Sequence, residues 1–217
     1  MPAGRNAAIG ARALRVAVFL LCLLPALRLT AAAFGVAGFS LGANPVSALL
    51  RACGHWGLNF LLITLCMTPL TDLSGSQWPL RLRRMMGLFT FFYLSLHLLV
   101  YVVLDQDRDL GAVWRDVVKR PYITIGFAAF LLLIPLALTS TRRAMRRLGR
   151  RWARLHRLIY PIAVLGVWHY WWQVKRDIRE PFLYACALAI LFGYRLAVRQ
   201  RGAARLSSAL LAERDGV

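Results

Sequence analysis

The chain has 217 residues, 59% of them hydrophobic and 17% charged, with a mean hydropathy of +0.55. Soluble domains run nearer roughly 45–50% apolar and about 25% charged, so a soluble enzyme, a disordered chain and a collagen-like repeat are excluded. The net charge of +19 would suit a nucleic-acid binder in a soluble chain, but here the cations sit in short clusters between apolar runs, as topology signals do, and no nucleic-acid role follows.

Apolar stretches fall at 14–34, 48–70, 85–104, 121–139, 155–173 and 181–198. Each can cross a hydrocarbon core of about 30 Å. Backbone groups in lipid must bond internally, which favours helices. Runs such as Phe130-Leu131-Leu132-Leu133-Ile134 do not alternate as barrel strands do. The expected fold class is an all-α integral membrane protein, a six-helix transmembrane bundle over 14–200. A segment 1–13 precedes it and a tail 201–217 follows.

The first stretch also has the look of a signal peptide: Arg12 and Arg15, then Val16 to Leu27, then Ala31-Ala32-Ala33. Its removal would leave five spans and put both strongly basic loops outside, so it is read as a retained span. With the N-terminus inside, inner segments hold 19 Lys and Arg, eight of them between Arg142 and Arg157, and outer segments hold nine. Both termini are therefore expected in the cytoplasm. Asp105, Asp107, Asp109, Asp116, Asp177 and Glu180 fall outside.

Gly35-x-x-Gly38 and Gly54-x-x-Gly57 read as helix-packing positions. Pro25, Pro69, Pro135 and Pro161 lie in or near spans, where kinks are tolerated. Trp168, Tyr170, Trp171 and Trp172 suit an interfacial aromatic belt at the outer end of span five. Cys22, Cys53, Cys66 and Cys186 form no C-x-x-C pair and read as small packed hydrophobes. No internal repeat, linker or low-complexity segment is expected from the sequence, and it has no G-x-G-x-x-G nucleotide fingerprint.

The histidines carry the chemistry, because an ionisable side chain inside a span is costly and points to function. His97 lies about 12 residues into span three and His169 about 14 into span five, and both spans run in the same direction. Two histidines at one depth on two helices can clamp a flat macrocycle through axial nitrogens. A packed histidine bonding a neighbouring helix is the alternative for each. His156 stands 13 residues before His169, roughly 19–20 Å along a straight helix, which suggests a second depth. The two are out of phase by about 140° at 3.6 residues per turn, so facing span three together would take a bend, for which Pro161 lies between them, though spacing alone does not require it. His55, at the outer start of span two, reaches interfacial water and is the weakest ligand candidate.

Several stretches together resemble the MsrQ (YedZ) family, the haem-bearing membrane subunits of bacterial protein-methionine-sulfoxide reductase systems. They include Leu41-Gly42-Ala43-Asn44-Pro45, Thr68-Pro69-Leu70, Arg83-Arg84-Met85-Met86-Gly87-Leu88 and Lys119-Arg120-Pro121-Tyr122 running to Gly126. Leu138-Thr139-Ser140-Thr141, Leu155-His156-Arg157-Leu158-Ile159-Tyr160 and His169-Tyr170 complete the set, which spans about residues 40 to 200. The family belongs with the ferric-reductase and NADPH-oxidase transmembrane domains.

The resemblance implies a ferric reductase-like bundle in the bacterial inner membrane with one or two b-type haems. His97, His156 and His169 would be the haem ligands, and His55 is not carried over. Oxidase relatives have a second histidine pair, but here Arg84 and Arg83 stand 13 and 14 residues before His97. An inner haem then has His156 alone, or a non-histidine partner. Arg83, Arg84 and Arg157 are propionate candidates, since Arg pairs carboxylates bidentately, although positive-inside charge explains any one of them. FMN is associated with the family, without residues to name. The implied partners are a cytoplasmic flavin reductase or quinol as donor, the periplasmic molybdopterin subunit MsrP as acceptor, and membrane lipid. The chain would then be an electron-transfer subunit, not an enzyme on its own. The rivals are a quinol-linked cytochrome b anchor for another oxidoreductase and a haem-free transporter or scaffold.

Overall fold

The computed structural model describes residues 3–174 and 177–215, and every regular element among them is helical. Lys175 and Arg176, counted above among the outer cations, lie outside the described residues. Five helical segments are long and apolar enough to cross a membrane: Gly10–Ala33, Pro45–Ser74, Trp78–Asp105, Pro121–Leu138 and Arg179–Gly202.

In chain order, α1 spans Ala3–Ala33, α2 Pro45–Ser74 and α3 Trp78–Val100, the last prolonged by a π-helical turn Tyr101–Asp105. A ten-residue helix, α4 (Leu110–Lys119), leads into α5 (Pro121–Leu138). Two short helices, α6 (Arg142–Leu148) and α7 (Arg150–Leu155), carry the arginine cluster. A 3-10 turn, His156–Leu158, opens α8 (Ile159–Gln173), and α9 covers Arg179–Asp215.

Local chemistry sets these boundaries. The Asn44 side chain accepts from the Ser47 N–H at 3.1 Å, Pro45 pre-sets the first turn of α2, and Gly75 ends it at φ 66°. Asp109 caps α4 by accepting from the Ala112 N–H at 2.9 Å, a bond that holds its carboxyl below the usual carboxylate range. Thr141 caps α6 through the Ala144 N–H at 3.1 Å.

Span five differs from the expectation. The α8 helix proper has 15 residues, and Pro161 sits in its first turn instead of kinking its middle. Proline has no N–H for the preceding turn, so the chain tightens into the 3-10 turn before it. The helical path still runs through α7 and that turn, so the fifth apolar stretch is helical although none of its helices is among the five long enough to count as a span. Gly35 and Gly38 are not packing positions either. Both have positive φ, 64° and 73°, in the turn that leaves α1. Gly57 does pack helices, since a Cβ there would lie 2.5 Å from Leu94 Cδ2.

Two helical hairpins, α2–α3 and α5–α8, form the centre. Leu58, Leu61 and Leu65 from α2 meet Leu133 and Leu136 from α5, Ile162, Ala163 and Val167 from α8, and Leu188 from α9. On the opposite flank, α1 buries Cys22 and Ala26 against Phe60, Met86, Phe89 and Tyr93. The Tyr93 hydroxyl donates to the Cys22 carbonyl at 2.8 Å and accepts from the Ala26 N–H at 3.0 Å. It thus stands between two groups that an unbroken helix would pair directly, beside Pro25. The α9 helix is tied on by Tyr184 donating to Asn59 at 2.7 Å, Tyr194 to Asp72 at 3.2 Å, and Arg195 to the Leu65 carbonyl.

Candidate functional site

The α2–α3 and α5–α8 hairpins present one histidine each to the space between them. His97 belongs to α3, and its Nδ1 lies 2.8 Å from the carbonyl oxygen of Leu50 in α2. His169 belongs to α8, and its Nδ1 lies 2.7 Å from the carbonyl oxygen of Tyr122 in α5. A carbonyl only accepts, so each Nδ1 carries the proton and each Nε2 keeps its lone pair.

The same device occurs twice with the same spacing. Donor and acceptor are 47 residues apart in both hairpins. Four residues after each acceptor comes a glycine, Gly54 or Gly126, and a Cβ there would lie 3.1 Å from His97 Nδ1 or 2.7 Å from His169 Nδ1. The absent side chains let each imidazole lie against the partner helix. This is an internal repeat that the sequence reading did not find. Its signal was present as two Gly-to-His separations of 43 residues, at Gly54–His97 and Gly126–His169.

The two rings stand edge to face at 81°, with centroids 6.2 Å apart. Two imidazole–metal bonds of about 2 Å, with the depth of each ring added, separate centroids by on the order of 6 Å. Among the described residues no group of three or more His, Cys, Asp or Glu side chains is placed to hold a bare metal ion. Two lone-pair nitrogens across a cavity are what a macrocycle with its own four equatorial nitrogens requires. The residues present fit a haem.

The cavity around the pair has apolar walls from Leu58, Leu61, Leu94, Phe127, Phe130 and Ile162. Its rim is polar. Among the described residues, Arg51 and Arg120 are the arginines that line it, near Tyr101, Asp105 and Gln173. Sequence reasoning did not single out Arg51 and Arg120, because they read only as outer topology charges. The three arginines it singled out do not line this cavity. Arg83 is half-buried on α3, and Arg84 and Arg157 are exposed. His55 reaches the rim, its ring 5.0 Å from that of Tyr170 and its Nε2 3.8 Å from Glu180.

His156 is not brought to the other two histidines. It lies at the opposite end of α8, stacked on Trp152 with centroids 4.0 Å apart. Its Nε2 is 3.1 Å from Thr139 Oγ1, and the Trp152 indole donates to the Thr139 carbonyl at 3.0 Å.

The family described as ferric reductase like transmembrane component matches residues 53–167 of this chain. A protein of Rhodospirillum rubrum is 55% identical over 197 residues, covering 89% of this chain and 93% of the relative. One of Azospira oryzae is 55% identical over 191 residues, with 87% and 81% covered. One of Ralstonia nicotianae is 49% identical over 195 residues, with 88% of each covered. All three are named protein-methionine-sulfoxide reductase heme-binding subunit MsrQ. No solved structure matches the chain.

Proposed function

From the premise that this chain belongs to the MsrQ family, within the ferric reductase-like transmembrane components, we propose that it is an electron-transfer subunit holding haem b between His97 and His169. The observation that carries the reading is the pair of Nδ1-bonded imidazoles, their Nε2 atoms left unbonded and their ring centroids 6.2 Å apart. When bound, haem supplies a one-electron iron couple.

The chain's own residues do the rest. Leu50 and Tyr122 fix the tautomers, and Gly54 and Gly126 give the rings room. The leucine and phenylalanine walls give the macrocycle an apolar surround. Arg51 and Arg120 on the rim are placed to pair propionates. His156 serves a separate site at the other end of α8, where Arg83, Arg84 and Arg157 are the cations for a second haem's carboxylates.

The bundle 14–200 lies in the bacterial inner membrane, with segments 1–13 and 201–217 cytoplasmic. Electrons come from a cytoplasmic flavin reductase or from quinol, with FMN as a further carrier, and leave to the periplasmic molybdopterin subunit MsrP. That partner reduces methionine sulfoxide in damaged proteins, and this chain performs no sulfoxide chemistry itself.

The test is an absorption spectrum of the purified chain, oxidised and dithionite-reduced, followed by reoxidation on adding purified MsrP. Soret and alpha bands that shift on reduction and return with MsrP are expected. A protein without those bands would falsify the haem reading, and haem that MsrP leaves reduced would refute the acceptor.

A further inference from the structure

Between α3 and α5 the chain lays the ten-residue helix α4 beside the His97–His169 cavity. At 100° per residue its five large apolar side chains, Val113, Val117, Leu110, Trp114 and Val118, fall in one arc of about 140°. Arg115, Asp116 and Lys119 take the opposite face. One edge of the arc, Val113 and Val117, lines the cavity. The other edge faces away, with Leu110, Trp114 and Val118 exposed by 71%, 65% and 65%.

The helix is fastened on its polar side. The Tyr101 hydroxyl donates to Asp116 Oδ2 at 3.0 Å, Arg120 Nε lies 3.2 Å from Asp116 Oδ1, and Thr124 Oγ1 donates to the Val117 carbonyl. Its depth is fixed as well, since the α3 span ends at Asp105 and α5 begins at Pro121. That is the level at which apolar spans give way to water, and Leu104, at the end of the α3 span, is itself exposed.

We propose that the Leu110–Trp114–Val118 stripe is seated in the headgroup–acyl boundary of the bilayer, and that this seating holds α4 over the cavity as its cover. A tryptophan within the apolar stripe of a short amphipathic helix fits that boundary. Four acids (Asp105, Asp107, Asp109, Asp116) face four cations (Arg108, Arg115, Lys119, Arg120) in this segment, so the attachment is apolar and not an attraction to anionic lipid. A protein partner is the poorer occupant. A ten-residue helix is about 15 Å long, and three side chains fall far short of the roughly 800 Å² per partner of a stable interface.

The labelling arm of the test is independent of haem. The full chain carries a benzophenone side chain at Trp114, Val118 or Arg115 and is irradiated in native membranes. Lipid adducts at 114 and 118, and few at 115, are expected. A protein adduct at 114 and 118, or equal lipid labelling at 115, overturns the seating. The second arm rests on the haem reading: transfer of haem from vesicle-embedded protein to apomyoglobin. Trp114→Glu with Val118→Glu should speed transfer about tenfold, a loss of some 1.4 kcal/mol, and equal rates overturn the covering role. Wild-type protein without haem would strike the haem reading while leaving the labelling result intact.

Discussion

The imidazole of His97 meets that of His169 edge to face, and each is anchored by Nδ1 to a carbonyl on the first helix of its own hairpin. A haem held between them would take one ligand from each hairpin. His97→Ala and His169→Ala should each remove the same haem and stop electron transfer, because Leu96, Leu98 and Trp168 offer no ligand atom in its place. His55→Ala should keep haem content near normal. Haem-to-protein ratios of the three variants check this. Loss of different haems from His97→Ala and His169→Ala would sink the pairing.

The glycines predict a graded effect. A Cβ at Gly126 would stand 2.7 Å from His169 Nδ1, whereas one at Gly54 would stand 3.1 Å from His97 Nδ1. Gly126→Ala must displace the ring and should weaken haem binding by on the order of 1–3 kcal/mol. Gly54→Ala needs a shift of only a few tenths of an ångström and should cost less. Haem titration into apoprotein gives the order, and an equal or reversed effect contradicts the geometry.

Tyr93 gives a stability prediction that spares the cofactor site. It is fully buried, and its hydroxyl joins the Cys22 carbonyl to the Ala26 N–H. Tyr93→Phe leaves both main-chain groups short of a partner, at a cost of about 1–2 kcal/mol. Thermal denaturation should register the loss, while the absorption spectrum of bound haem stays unchanged. An altered spectrum would mean that Tyr93 acts on the site as well.

His156 can be tested against its own hydrogen-bond partner. His156→Ala should leave the spectrum of the His97–His169 haem intact and slow its reduction from the cytoplasmic side. Thr139→Val removes the hydroxyl 3.1 Å from Nε2 but keeps the imidazole. It should reduce at close to the wild-type rate. If Thr139→Val is as slow as His156→Ala, His156 is a packing residue and not a ligand.

Orientation follows from the arginines of α6 and α7. A cysteine at Arg147 should stay unlabelled by an impermeant maleimide in intact cells, and one at Asp107 should react. The reverse pattern turns the chain over.

The apolar runs placed five spans, four of them to within about four residues and the third seven residues late at its start, where Arg81, Arg83 and Arg84 interrupt the hydrophobicity but not the helix. The closeness of His97 and His169 was legible from their matched positions in the apolar runs, although the helices themselves start at Trp78 and Ile159 and not at 85 and 155. The 3-10 turn at His156 was not legible, because Pro161 is compatible with either a mid-span kink or a first-turn position. The acceptors at Leu50 and Tyr122 were invisible for a deeper reason: they are main-chain atoms, which every residue possesses. Arg51 and Arg120 were hidden by the abundance of arginine, which gives each one a ready topological explanation. The α4 helix lay within a loop whose five large apolar side chains are too few to resemble a span.

That both acceptors are main-chain carbonyls has an evolutionary consequence. No single substitution can delete the oxygen at position 50 or 122, as one would delete a carboxylate partner, so drift leaves the histidine tautomers in place. A neutral amide oxygen also draws less on the Nδ1 proton than a carboxylate would, and it does so equally in the two hairpins. Neither imidazole is driven toward imidazolate, and a haem held between them would meet two matched donors. Differences in its potential among descendants of this bundle would then come from what lines the cavity and its rim, where side chains are free to vary.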